Sequence, residues 1–221
     1  VVELRRLLMF AYLSVFATVA FAAGPPAPTK KAETARWLVH EADYAFQATI
    51  SKALPGFPFN NVQSMSDGTV SNSTGIPYFY VSPLDTSMID IAANSATSIT
   101  ISEEMINQEC SSSSKDPESP LCSRLTLTGR MVPVTSVAEQ GQARAALFSR
   151  HPVMKTWPSD HAFAFYKVDI SNIWLMYVRA GSICFLSFTG RVSLTRVVRR
   201  ILLFVAFSQR FFRGSCKYHD S

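Results

Sequence analysis

Short alternating runs dominate the pattern of apolar and polar positions. Six segments read as strands: Tyr44 to Ser51, Asn61 to Ser66, Pro77 to Val81, Thr97 to Ser102, Arg124 to Val134 and Ala162 to Trp174. The turn formers "LPGFPFN" and "SDGTVSNSTG" and the Ser-rich "SSSSKDPESPL" separate them. Two other segments carry a helical signal. In "KKAETARWLVHEAD", Ala32, Ala35 and Val39 fall at helical spacing, which predicts a short helix over Lys30 to Asp43 with Thr29 or Thr34 as its cap. Ser136 and Glu139 make an S-x-x-E capping box, opening a second helix to which Val137, Leu147 and Phe148 supply apolar positions. Many short strands with few helices favour a mainly β, α+β architecture: a closed or nearly closed antiparallel barrel rather than a βαβ sheet.

The last strand adds a constraint. Phe163 and Phe165 occupy one alternating face, and Ala164, Tyr166, Val168 and Ile170 the other. A strand apolar on both faces needs a second layer outside the barrel, either a helix or another subunit. A homodimer through that face is therefore expected.

Charge divides the chain. The net charge is +5, but residues 176–221 hold eight Lys/Arg against the single acid Asp220, or +7, leaving −2 for residues 1–175. Nucleic-acid binding needs a basic face on the folded domain, and the body is mildly acidic, so no nucleic-acid partner is expected.

The N-terminus reads as a signal peptide over residues 1–22. Arg5 and Arg6 precede the apolar stretch Leu7 to Phe21, and Ala20-Phe21-Ala22 has the small-x-small form of a cleavage site. The stretch is shorter than the ~20 residues of a membrane-spanning helix, and no span is expected in the mature domain. Residues 23–32 then form a stiff, Pro-rich linker. Export changes how later residues read. Asn72-Ser73-Thr74 is a glycosylation sequon in a polar stretch, Ser71 to Gly75, expected to be an exposed turn. Cys110 and Cys122 flank the Ser-rich loop, and in an oxidising compartment a disulfide between them would add roughly 2–3 kcal/mol.

Several strings, in order, resemble the CREG family, the cellular repressors of adenovirus early-gene-stimulated transcription. They are "ARWLVHEADYAFQATIS", "PFNNVQSMSDG", "GIPYFYVSPLD", "ATSITIS", "DPESPLCSRLTLTG", "LFSRHPVMKTWPS" and "ISNIWL". The resemblance covers about Ala35 to Leu175. It implies a split β-barrel over residues 33–175, similar to the FMN-binding, pyridoxamine-phosphate-oxidase-like fold and present as a homodimer. It also implies a secreted or endolysosomal glycoprotein that acts through partners, such as a cell-surface or lysosomal sorting receptor, with no enzymatic activity and no cofactor. The resemblance stops near Leu175, and residues 176–221 are expected to be a divergent tail outside the family fold. Within that tail Leu194, Val197, Val198, Ile201 and Val205 align on one helical face beside Arg191, Arg196, Arg199 and Arg200.

Catalytic strings such as G-x-S-x-G, the P-loop and C-x-x-C do not occur. His40-Glu41 begins like a zinc-protease motif, but Tyr44 stands where the second histidine belongs, so neither a metal nor a catalytic residue is assigned. His40 is expected at the end of the first helix, a favourable place for a partial cation. The enzymatic alternative, an FMN-dependent oxidoreductase, comes from the fold resemblance. Flavin- and haem-handling relatives typically carry L-x-x-H-T-x-N after the third strand. Here Leu84 to Asp90 puts Ser87, Met88 and Asp90 at the His, Thr and Asn positions, and Asp90 would repel a phosphate. A loop that occludes the flavin groove in this family would come from Gln63 to Gly75 or from Cys110 to Cys122. In "RHPVMKTWPSDHAFAFYKVDISNIW", Arg150, His151, Lys155 and Trp157 read either as an anion- and ring-binding corner or as a helix-to-strand connection. The breakers Pro152 and Pro158 favour the connection, with Arg150 ending the helix.

Overall fold

The computed structural model describes residues 24–27, 30–106, 110, 116, 118–119, 121–179, 182–189 and 213–217. The expected signal peptide and the amphipathic run around Leu194 to Val205 lie outside the described residues. Helix α1 (Lys31–Glu41) leads into strand β1 (Tyr44–Ile50), followed by β2 (Pro58–Ser64), β3 (Ser66–Thr69) and β4 (Asn72–Val81). Helix α2 (Thr86–Ala93) precedes β5 (Ala96–Ser102) and β6 (Arg124–Pro133). Helix α3 (Val137–Arg150) and two 3-10 turns, Pro152–Thr156 and Ser159–His161, connect to β7 (Ala164–Arg179). Strands β8 (Ser182–Thr189) and β9 (Arg213–Lys217) follow.

The sheet is antiparallel in the order β2-β1-β5-β6-β7-β4-β3, with β8 added to β7 and β9 to β8. The two ends of this order are almost the same piece of chain. β2 pairs with β1, and after the single residue Met65, β3 pairs with β4. That bent segment curls the sheet into a barrel, which is split where β2 and β4 part beyond the Ser66–Tyr78 pair.

The barrel interior is filled from both layers. Leu38 and Val39 of α1 pack on Phe79, Ile99, Ile101, Leu125 and Leu127. A second cluster lies under α3, where Ala143, Ala146 and Leu147 meet Tyr78, Met154 and Phe165. The outer layer required by the two-sided β7 is thus α3: it covers Phe165, while Val168 and Ile170 face the barrel core. A bulge opposite Gly129 inserts Ser171, shifting the register between Gly129–Ile170 and Thr128–Asn172. The inward side therefore changes from even to odd numbers, and Ile173, Leu175 and Tyr177 continue the core.

Three expectations change in detail. The N-cap of α1 is Lys30, with no side-chain cap bond, and Thr34 instead bonds back to the Lys30 carbonyl from inside the helix. The segment from Gln63 to Gly75 is regular structure rather than a loop: its residues form the end of β2, β3 and the start of β4 around the two-residue turn Val70–Ser71. Asn72 begins a strand and is exposed. The anticipated capping box at Ser136 holds as a helix start, where Ser136 Oγ accepts from the Glu139 N–H. β7 runs past Leu175 to Arg179 and pairs with β8 from Asn172 onward.

Candidate functional site

The split between β2 and β4 opens into a cavity of about 390 Å³. One wall is aromatic. Tyr80 lies at the centre of a ring cluster, 4.9 Å from Phe165, 5.1 Å from Phe163, 5.3 Å from Phe148 and 5.9 Å from Trp157 between centroids. Trp157 and Tyr80 are nearly parallel, at 15°. Four of these rings belong to the end of α3, the 3-10 turn and the entrance to β7, so the corner after Arg150 folds around one tyrosine. Tyr80, Trp157 and Phe163 show their exposed edges to the cavity. The opposite wall, Gln63 and Ser64 of β2, is polar and meets Ser82 and Asp85 at the mouth.

Among the described residues, Asp85 is the one carboxylate on this lining, which includes no Lys, Arg or His. Its oxygens are already engaged. Oδ1 accepts from the Ser87 N–H at 2.7 Å, capping α2, and Oδ2 accepts from Gln63 Nε2 at 3.1 Å. Asn61 Nδ2 approaches the same carboxylate at 3.3 Å. The cavity suits a planar or partly apolar group, and among the described residues its lining offers an anion neutral donors but no cationic side chain.

The residues singled out from the sequence do not converge on this site. Arg150 reaches away from it: its guanidinium donates to the carbonyl oxygens of His40 and Glu41 and to the Asp43 carboxylate. His151 Nε2 is 3.0 Å from the Met65 carbonyl, so it ties the corner to the bend between β2 and β3. Lys155 is exposed on its 3-10 turn and Trp157 alone lines the cavity. Asp90 is buried, accepting from Thr49 Oγ1 and from the Lys52 N–H, each at 2.7 Å. It anchors α2 to β1. The helix itself is the element the sequence reading missed. Its signal was present in Asp85 as an N-cap and in Met88 and Ile91, three apart and both buried.

His40 does end α1, but inside the protein, at 3% exposure. Nδ1 is 2.8 Å from Asp67 Oδ1 and Nε2 is 3.1 Å from the Val70 carbonyl. Hydrogen bonding to Asp67 is the main cause that raises the ring's pKa, against an opposing desolvation cost. On the other side of the hairpin, burial and the neighbouring Glu139 push the Tyr78 hydroxyl up to about 12. Cys110 and Cys122 are joined as a disulfide with Cα atoms 5.4 Å apart. Glu104 lies beside them, but both sulfurs are consumed by that bond, so the trio offers a cation one carboxylate.

A curled antiparallel sheet closed through one bent strand and split beside it defines the class: a split β-barrel. Solved structures share it, including a heme binding protein from Mycobacterium smegmatis at TM-score 0.56 and 16% identity, covering 77% of this chain and 61% of that one. A protein of Agrobacterium tumefaciens, Atu2129, aligns at TM-score 0.53 and 20% identity, over 71% and 60% of the two chains. At these identities the likeness is one of fold. The family described as CREG, beta-barrel, matches residues 26–178, and this chain belongs to it. It is 42% identical to Protein CREG2 of Homo sapiens over 163 residues, 73% of this chain and 56% of that protein. Protein CREG1 of Homo sapiens is 40% identical over 156 residues, 69% of this chain and 70% of the relative. The chain spans little more than half the length of the CREG2 proteins it matches.

Proposed function

We propose that this chain is a non-enzymatic glycoprotein of the CREG type, secreted or held in the endolysosomal lumen, acting as a homodimer through protein partners. The observation that carries this reading is the electrostatics of the split. FMN ends in a phosphate dianion, which needs cationic or N–H donors around it. The cavity instead presents Asp85, with Asp90 buried one helix turn beyond, and Arg150 is committed to the end of α1. These residues do not fit FMN, so the alternative, an FMN-dependent oxidoreductase, gains no step from them.

Four further observations support the rest. The apolar leader from Leu7 to Phe21 favours export, and Asn72 is exposed, as a glycan requires. Among the described residues no helix is long and apolar enough to cross a membrane. On the outer face of the sheet, Val62, Phe46, Thr100, Thr126 and Trp174 stand directly opposite one another across five strands. Phe46, Val62 and Trp174 remain 44%, 53% and 51% exposed, a patch that a second copy would cover. The deciding experiment is the visible spectrum of the purified protein followed by titration with FMN. The expected result is no flavin band and no saturation. Saturable binding in the micromolar range would overturn the non-enzymatic reading.

A further inference from the structure

Helix α1 is fastened to the β3–β4 hairpin by a chain of polar groups at the barrel wall. Asp67 is fully buried. One of its oxygens faces His40 Nδ1, and the other accepts from Ser73 Oγ at 2.5 Å and from the Gly75 N–H at 2.8 Å. Arg36 on α1 donates to the Ser73 carbonyl and hydroxyl, at 3.0 and 2.9 Å. The second imidazole nitrogen of His40 faces the carbonyl of Val70, in the two-residue turn beside Asn72.

The donor and acceptor count at His40 is decisive. A neutral imidazole has one N–H and one lone pair. A carbonyl only accepts, and the far oxygen of Asp67 already accepts two hydrogen bonds, leaving the near oxygen to His40. With Asp67 ionised, both ring nitrogens donate, and an imidazolium matches the two contacts. The surrounding charges fit one extra positive charge at this point. Asp67 on β3 is the buried counter-ion, Arg36 on α1 is held one hydroxyl away, and Tyr78 on β4 stays protonated. From α3, Arg150 opposes it, bonded to the His40 carbonyl and partly neutralised by Asp43.

We propose that His40 and Asp67 form a proton-operated latch: the charged ring fastens the turn that presents Asn72, and loss of its proton releases that turn. A neutral His40 keeps one donor, which the Asp67 charge retains, so the Val70 carbonyl is left unbonded. The sign follows from the raised ring pKa. The latch contributes fully below the ordinary histidine value of about 6.5 and is lost as pH rises through the folded value above it. It is closed in an acidic compartment and slack in an alkaline one.

The test uses the full chain. NMR of the ring nitrogens should show both still protonated at pH 6.5, with titration only above that value. Hydrogen exchange corrected for intrinsic rates should show the amides of residues 69–75 losing protection by on the order of tenfold per pH unit in the window between about 6.5 and the folded value. Amides of β5 and β6 should hold, and His40→Gln should remove the pH dependence of the hairpin. A ring that titrates at or below 6.5 overturns the latch, as does a ring that titrates higher while hairpin protection stays constant. If His40→Gln does not fold, the ring titration and the wild-type exchange decide by themselves.

Discussion

Arg150 is the clearest case in which two readings of one residue make opposite predictions. As a ligand group it would control affinity; as a clamp on α1 it would control stability. Its side chain is 10% exposed, and its fork spans the His40 and Glu41 carbonyls, which lack intrahelical partners at the helix end. A hydrogen bond from a charged donor contributes about 1.5–3 kcal/mol. Asp43 is 65% exposed, so that ion pair adds about 0.2–1 kcal/mol. Arg150→Lys keeps the charge but cannot span both carbonyls, so one such bond is lost, at a cost of about 2 kcal/mol. For a domain of this size that lowers the melting temperature by roughly 4–8 °C. Arg150→Met removes every donor and should cost about 3–5 kcal/mol. Urea unfolding followed by circular dichroism, with an FMN titration on the same samples, separates the readings. An unchanged midpoint in both variants would refute the clamp, and so would a loss of ligand affinity in Arg150→Lys at unaltered stability.

Two further outcomes follow from the sheet. A Cβ built on Gly129 would lie 2.1 Å from the Asp169 carbonyl oxygen, a backbone atom that cannot step aside. Gly129→Ala should therefore cost about 3 kcal/mol or more, read as a fall in the urea midpoint, and a neutral substitution would mean that the bulge at Ser171 is absent. Phe46→Glu puts a carboxylate in the middle of the exposed apolar row, where the fold itself should lose no more than about 0.5 kcal/mol. Light scattering should then report half the wild-type mass with unchanged circular dichroism, and a persisting dimer would exclude this face as the interface.

How much of this was legible in the sequence differs by element. Strands with a buried and a solvated face announced themselves, because alternation survives wherever one side sees water. β1 alternates strictly between the inward Ala45, Gln47 and Thr49 and the exposed Tyr44, Phe46 and Ile50, and its predicted bounds hold to one residue. The start of α3 was equally plain, since the Ser136 cap is a local hydrogen bond. Helix α2 was missed because two of its eight residues, Ser87 and Asp90, are polar yet buried, so the apolar stripe is interrupted by side chains whose partners lie on β1 and β2. The bulge at Ser171 was invisible for a related reason. It depends on Gly129, far away in sequence, and the strand reads as two-sided whether or not its parity changes.

The candidate site was less legible than the fold, and the reason is where the charges go. From the sequence, Asp90 looked like a repulsive group at a phosphate site, Arg150 like a helix end with an anion ligand as the alternative, and His40 like a helix-end cation. All three are spent internally: Asp90 holds α2 on β1, Arg150 closes the end of α1, and His40 binds Asp67. A charge in a sequence carries no mark of whether it faces water or a buried partner, and burying one demands a dedicated counterpart from a distant segment. Here the counterparts lie 41, 109 and 27 residues away. The consequence for function is specific. With these charged groups consumed by the frame, recognition falls to what the frame leaves uncovered. That is the Phe46–Trp174 row on the outer face, the ring-lined mouth beside Trp157, and the hairpin tip at Asn72. The hairpin tip is wired to the His40–Asp67 pair, so a change of compartment pH through the window above about 6.5 should alter that surface.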